Sequence, residues 1–443
     1  MPSRRDFSKA SFAALGAAAL GAWRPLRTSY DDVRVNGDRL NAHLTELARF
    51  GANPQGGVSR VAYSDFDRQG REYATGLLRA AQLDVHVDTA GNIFGRRAGS
   101  SPQLKPLWFG SHIDSVPEGG NYDGTVGSLS AIEVAHTLAE RAITTRHPIE
   151  VVIFQNEEGG TVGSRALVGE VSATDLSLAT KSGKSIRDGI AFIGGDPARL
   201  DTARRQQGDM AAYVEFHIEQ GATLDREGLD IGVVEGIVGI GWWDVTIEGF
   251  ANHAGTTAMN ERRDAMLAFA RFADMVNRVV TSEPGRQVGT VGRVQALPGV
   301  PNVIPGKVIC SLELRDLDNA KIARLLTRIQ GEADRIGTVT GTTFSYVSTH
   351  QSRSALTDPR MQRVIEGRAK AMGFTTRYLP SGAGHDAQHM ARLCPSAMIF
   401  IPSLKGISHA PSEFSSPKDI VNGANVLLQT ILTLDADGWQ GAR

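Results

Sequence analysis

Apolar positions along this 443-residue chain follow two different rhythms. Short runs at 106–109, 149–154, 210–216 and 397–401 are compact, largely apolar and flanked by turn residues, which predicts buried strands. Between the first two, Leu129, Ile132, Ala135 and Leu138 recur at helical spacing, so a helix follows Gly124. Buried strands alternating with helices predict an α/β fold on a mixed, mainly parallel sheet. From about residue 239 the rhythm changes. Positions 245–249 and 307–314 alternate, 265–280 is helical, and Ile322, Leu325, Leu326 and Ile329 share one helix face within 320–336. This is a smaller α+β layer, after which helix, strand and helix return as far as residue 434. The expected organisation is a discontinuous domain of residues 36–238 and 348–437, interrupted by an inserted lid or dimerisation domain at 239–347.

Candidate chemistry sits just beyond the apolar runs. His112 and Asp123 lie in GSHIDSVPEGGNYDG, Glu158 in NEEGG, His217 in HIEQG and His409 in SHAPSE. Imidazole nitrogens and carboxylate oxygens hold borderline divalent cations, and a pair of ions needs a carboxylate able to bridge them. In an open α/β sheet the C-terminal strand ends are where binding crevices form. Any one of these residues alone would read as a structural histidine or a solvated acid; the five together read as a two-metal hydrolytic site. Glu157 precedes Glu158, and neighbours at a strand end point in different directions, so one can bind metal while the other acts as general base and acid.

Eight motifs occur in order from about residue 40 to 434: GSHIDSV, YDGTVGSLSAIE, NEEGG, HIEQG, NHAGTT, PNVIP, ELR and GAGHDA. They resemble the M20 family of binuclear metallohydrolases. HIEQG and NHAGT are similar to its amidase (hydantoinase/carbamoylase) branch, which contains N-carbamoyl-L-amino acid hydrolases, allantoate amidohydrolases and ureidoglycolate amidohydrolases. The resemblance implies two divalent ions, zinc or manganese. His112 would bind one, Asp123 bridge both, Glu158 and His217 complete the shells and His409 close the second. Asp114 would accept the second ring proton of His112. Arg315 would clamp a substrate carboxylate, and Gln220, Asn302 and the backbone at Gly384 would bind its ureido or carboxylate group. His253 would reach the scissile carbonyl from the lid, in dimeric relatives from the partner subunit. A homodimer through the lid is therefore implied. His385 should lie near the site, without an assigned role. The implied reaction is hydrolysis of a non-peptide C–N bond in a small carboxylate-bearing ureido compound. The rivals are a dipeptidase or aminoacylase of the same superfamily and an exported metal-containing binding protein without turnover.

Composition narrows the partners. Lys plus Arg (47) nearly balance Asp plus Glu (48), which leaves no basic footprint for nucleic acid or a membrane surface. Residues 1–22 carry Arg4, Arg5, Phe7 and Lys9 before an Ala-rich stretch too short for a membrane span, the pattern of a twin-arginine export signal with cleavage near residues 19–22. A periplasmic or secreted location is expected. Cys310 and Cys394 fall in different expected domains and read as two buried free thiols. His43, His86, His136, His147, His350 and His389 lie outside any ligand pattern and read mostly as surface or helix residues.

Overall fold

A strand with no polar face needs cover on both sides. Leu107–His112, Ile149–Phe154, Ala212–Ile218 and Ser396–Ile401 have it, being buried along their whole lengths. The computed structural model describes residues 30–437 and 439, so the signal-like segment 1–22 lies outside the described residues. Among the described residues these four strands form the middle of a nine-stranded sheet. Its order is Asp84–Val87, Ile93–Arg97, Ile149–Phe154, Leu107–His112, Ala212–Ile218, Ser396–Ile401, Ile231–Ile237 and Ala355–Leu356, with Thr376–Ser381 also pairing Ile231–Ile237. The middle four are mutually parallel, and antiparallel pairings flank them on both sides. The sheet is thus mixed, with its parallel part where the ligand-bearing strands lie.

The helix Thr125–Glu140 packs on the middle strands and is apolar or small nearly all round, as a helix covered on all sides must be. Pro417–Ala436 lies beside it and is covered to the same degree.

A second, antiparallel sheet has the order Thr343–Ser352, Gly239–Glu248, Lys307–Asp316, Val288–Leu297. Strict alternation in Lys307–Asp316 turns Val308, Cys310, Leu312 and Leu314 to one face. There they pack with Trp243, Val245, Phe272, Leu325 and Ile329 into a core of their own. The covering helices are Ala265–Ser282 and Asn319–Thr340. Asp264 and Asp318 cap their N-termini by accepting from backbone N–H groups, and Gly341 closes the second in a left-handed conformation. The sheet continues to Ser352, five residues past the expected boundary, since Ser352 still pairs with Ile240. The end of that strand is polar and exposed, so no apolar alternation announced it.

Cys310 belongs to the core of the small sheet and Cys394 to that of the large one, and both are free. Among the described residues no helix is long and apolar enough to cross a membrane.

Candidate active site

His112 ends its strand and His217 is the last residue but one of the adjacent parallel strand, so the backbone itself delivers two imidazoles to one edge. Asp123 comes from the loop before the Thr125–Glu140 helix, and the turn into that helix is tight. Gly124 has φ 62°, and a Cβ there would sit 2.3 Å from the His112 ring, so only glycine fits. His409 and Gln220 adopt φ of 55° and 57°, a left-handed conformation that costs non-glycine residues on the order of 1 kcal/mol or more and is retained where function needs it.

The five expected ligands converge. Asp123 Oδ1 lies 3.2 Å from His217 Nε2 and 3.7 Å from His112 Nε2, while Oδ2 lies 3.3 Å from His409 Nε2. His409 Nε2 is also 3.4 Å from Glu158 Oε2. The two oxygens of Asp123 therefore face two separate ligand groups: His112 and His217 on one side, Glu158 and His409 on the other. Ligands about 2.1 Å from one tetrahedral ion stand roughly 3.4 Å apart, so these separations suit shared cation shells. Glu158 Oε1 is buried without a partner, a further sign that the set is built for a cation.

Tautomers agree. His112 Nδ1 lies 3.0 Å from the Asp114 carbonyl and His217 Nδ1 2.9 Å from the Ile218 carbonyl. Carbonyls only accept, so each Nδ1 carries the proton and each Nε2 lone pair faces Asp123. Gly124 N–H donates to His217 Nε2 at 3.2 Å, consistent with that assignment. Electrostatics reflect the same crowding. Burial, then the charge of Asp123, pushes Glu158 up to about 8. Burial alone would lower His217, but its hydrogen bond to Asp123 and the aspartate charge raise it to about 9. Both shifts come from crowding several ionisable side chains around the one buried carboxylate of Asp123.

Several expected roles change in detail. Asp114 orients His112 through its backbone carbonyl; its carboxylate stands 3.7 Å from Nδ1 and instead accepts from the N–H groups of Glu157 and Glu158, each at 3.2 Å. It therefore fixes the turn that splits the two glutamates, with Glu157 Oε2 3.8 Å from His112 Nε2 while Glu158 faces His409. Glu157 is held well above the usual carboxylate range by burial, then by the negative charges of Asp386, Glu158, Asp114 and Asp123. Gln220 donates from Nε2 to Asp123 Oδ2 at 2.7 Å, and its Oε1 has no partner.

All five ligands, with Glu157, Gln220, Arg315 and Gly384, line one cleft of about 1390 Å³. His253 and Asn302 do not. Both are exposed; Asn252–His253 pairs with Val303–Ile304, and the Asn302 carbonyl accepts from Ala254 N–H at 3.0 Å. The structure brings the two together but away from their own chain's cleft. His350 is exposed and His389 stands on the short helix Ala387–Met390, as expected of surface or helix histidines, and both also line the cleft; His147 departs from that expectation by being buried. His385 is fully buried edge-on to His217, ring centroids 4.5 Å apart, with Nε2 bonded to Ser381 Oγ at 2.8 Å. Two further acids were missed. Glu413 accepts from the N–H groups of Tyr122 and Asp123, and Glu215 accepts from Ser111 Oγ and Ala387 N–H. Glu413 closes the SHAPSE motif, where its position four residues after His409 was the available signal.

Residues 108–433 match the model of peptidase family M20/M25/M40. The chain belongs to this family. It is 38% identical to the N-carbamoyl-L-amino acid amidohydrolase of Geobacillus stearothermophilus, over 90% of this chain and 99% of that one. It is 36% identical to the ureidoglycolate hydrolase of Arabidopsis thaliana, over 91% and 87%. Among solved structures, an amidase of the hydantoinase/carbamoylase family from Burkholderia multivorans superposes with a TM-score of 0.84 at 37% identity, over 91% of this chain and 98% of that one. Family membership and the cation-fitting clusters agree on a metal-dependent hydrolase with a mixed α/β architecture.

Proposed function

We propose that this protein hydrolyses a non-peptide C–N bond in a small ureido compound bearing a carboxylate, of the N-carbamoyl-L-amino acid, allantoate or ureidoglycolate type. The observation that carries the reading is the shared carboxylate of Asp123, addressed by two ligand groups, with Glu157 beside it in the cleft that also holds Arg315. His112, Asp123, Glu158, His217 and His409 would hold two divalent ions, zinc or manganese, which when bound acidify a water and polarise the carbonyl. Glu157, beside His112 in the cleft, takes the water's proton and returns it to the leaving nitrogen. Arg315 binds the carboxylate, and Gln220 and the backbone at Gly384 orient the ureido group. An N-carbamoyl amino acid and water would give the amino acid, carbon dioxide and ammonia. A hydrolysis screen of the metal-reconstituted protein, with dipeptides and N-acyl amino acids beside the ureides, tests this. Turnover of peptides and none of the ureides would refute it.

The protein acts as a homodimer in this reading. His253 and Asn302, paired and exposed outside their own cleft, support it by being free to serve a partner's site. Light scattering showing an active monomer would remove that support. Export through the twin-arginine route rests on Arg4, Arg5 and the Ala-rich stretch after them. Replacing both arginines by lysine should strand the protein in the cytoplasm, and equal export of that variant would exclude the route.

A further inference from the structure

Strand register sets a row of side chains across the outer face of the small sheet. Trp242 pairs directly with Glu313 on one neighbouring strand and with His350 on the other, and Arg315 follows Glu313 by two residues on the same face. Trp242 Nε1 donates to Glu313 Oε2 at 2.5 Å. Glu313 accepts from Arg315 twice, Nε to Oε1 at 2.9 Å and Nη2 to Oε2 at 3.1 Å. Arg315 Nη1 donates to the Gly382 carbonyl at 2.5 Å. The indole also lies against the His350 ring, centroids 4.9 Å apart.

A guanidinium has five N–H donors in one plane. Glu313 takes the edge formed by Nε and Nη2, and Gly382 takes one proton of Nη1. Left over is one proton on each Nη nitrogen, and the one on Nη2 points away from Glu313, where a ligand carboxylate can accept it in a charge-assisted bond. Trp242, Arg315 and His350 all line the cleft, so that proton has a ligand space beside it. Trp242 is 40% exposed, whereas its neighbour Trp243 is 5% exposed and packs the core. Packing therefore accounts for Trp243 and leaves Trp242 outside the core, with its contacts to Glu313 and His350.

We infer that Trp242 and Glu313 form a positioning pair that fixes the plane of Arg315 so that its free end meets the ligand carboxylate. This rests on the reading of Arg315 as the carboxylate clamp. An arginine tip on a flexible stem sweeps many positions, and an exposed Arg–Glu pair alone restrains it weakly. The indole N–H removes the alternative positions of Glu313 before the ligand arrives, which is preorganisation.

The experiment compares N-carbamoylglycine with its neutral amide, N-carbamoylglycinamide, measuring KM, or an inhibition constant where turnover is too slow. Neither probe has a side chain, so direct contact of Trp242 with one plays no part. Trp242→Phe keeps a ring and removes the donor. It should raise the constant for the carboxylate about threefold to tenfold, the worth of one net hydrogen bond, while the amide stays within roughly twofold and kcat is retained. Glu313→Gln should shift the same probe in the same direction. Unchanged constants in both variants, or equal rises on both probes, overturn the inference. Tighter carboxylate binding by Glu313→Gln also overturns it, making Glu313 a competitor for Arg315. Arg315→Lys separates the two levels. If it fails to distinguish carboxylate from amide, the clamp reading falls; if it distinguishes them while the other two variants do not, only the positioning role falls.

Discussion

In the large sheet the working groups stand at strand ends, with His112 and His217 in the last two positions of adjacent parallel strands and both imidazoles buried. In the small sheet they stand along a face, with Trp242, Glu313, Arg315 and His350 on three antiparallel strands and all partly exposed. The first arrangement lets the backbone fix ligand positions to within what a cation shell tolerates. Buried carbonyls then set each tautomer from behind, as those of Asp114 and Ile218 do, while Glu413 holds the Asp123 backbone. The second relies on cross-strand neighbours to steer long side chains, so its geometry is looser and its contribution is to recognition.

Three experiments press on that contrast. Removing divalent cations by chelation should abolish hydrolysis, with recovery on adding Mn²⁺ or Zn²⁺. Full turnover by metal-free protein would mean that the strand-end set is structural. Next, Glu157→Gln should lower kcat by about two to four orders of magnitude, the usual share of general acid–base catalysis, with metal content by elemental analysis close to that of the parent. A variant as fast as the parent would make Glu157 a bystander of the turn that Asp114 holds. The smallest effect belongs to the face of the small sheet. There Arg315→Lys should raise KM for a carboxylate substrate about 10- to 100-fold, as loss of a charge-assisted bond predicts, and leave kcat and metal content nearly unchanged. A collapse of kcat instead would show that the two sheets share one catalytic geometry.

The strand-end half was the more legible in sequence. His112, Asp123, Glu158, His217 and His409 each follow a compact apolar run, and such a run fixes where a buried strand ends. That Glu157 and Glu158 point to different sides also followed from the geometry of adjacent residues, and the structure turns one toward His112 and the other toward His409. What stayed hidden depends on neighbours distant in sequence. Glu413 meets the Asp123 backbone across 290 residues, and Glu215 meets Ala387 across 172. Trp242 and Glu313 look like ordinary outward positions of alternating strands, and only cross-strand register puts them in contact. Asp114 shows a subtler limit: its proximity to His112 was readable, but which of its oxygens faces the ring depends on a backbone turn.

Alternation in the small sheet has an evolutionary consequence. Leu312 and Leu314 face its core while Glu313 and Arg315 face outward, Arg315 into the cleft, so stability and ligand preference are written on interleaved residues of one strand. A mutation at an outward position can change which molecule is accepted without disturbing the packing one residue away. Single substitutions there offer descendants of this chain a path to new substrates through folded intermediates, a route closed to the strand-end ligands, where Gly124 already touches His112.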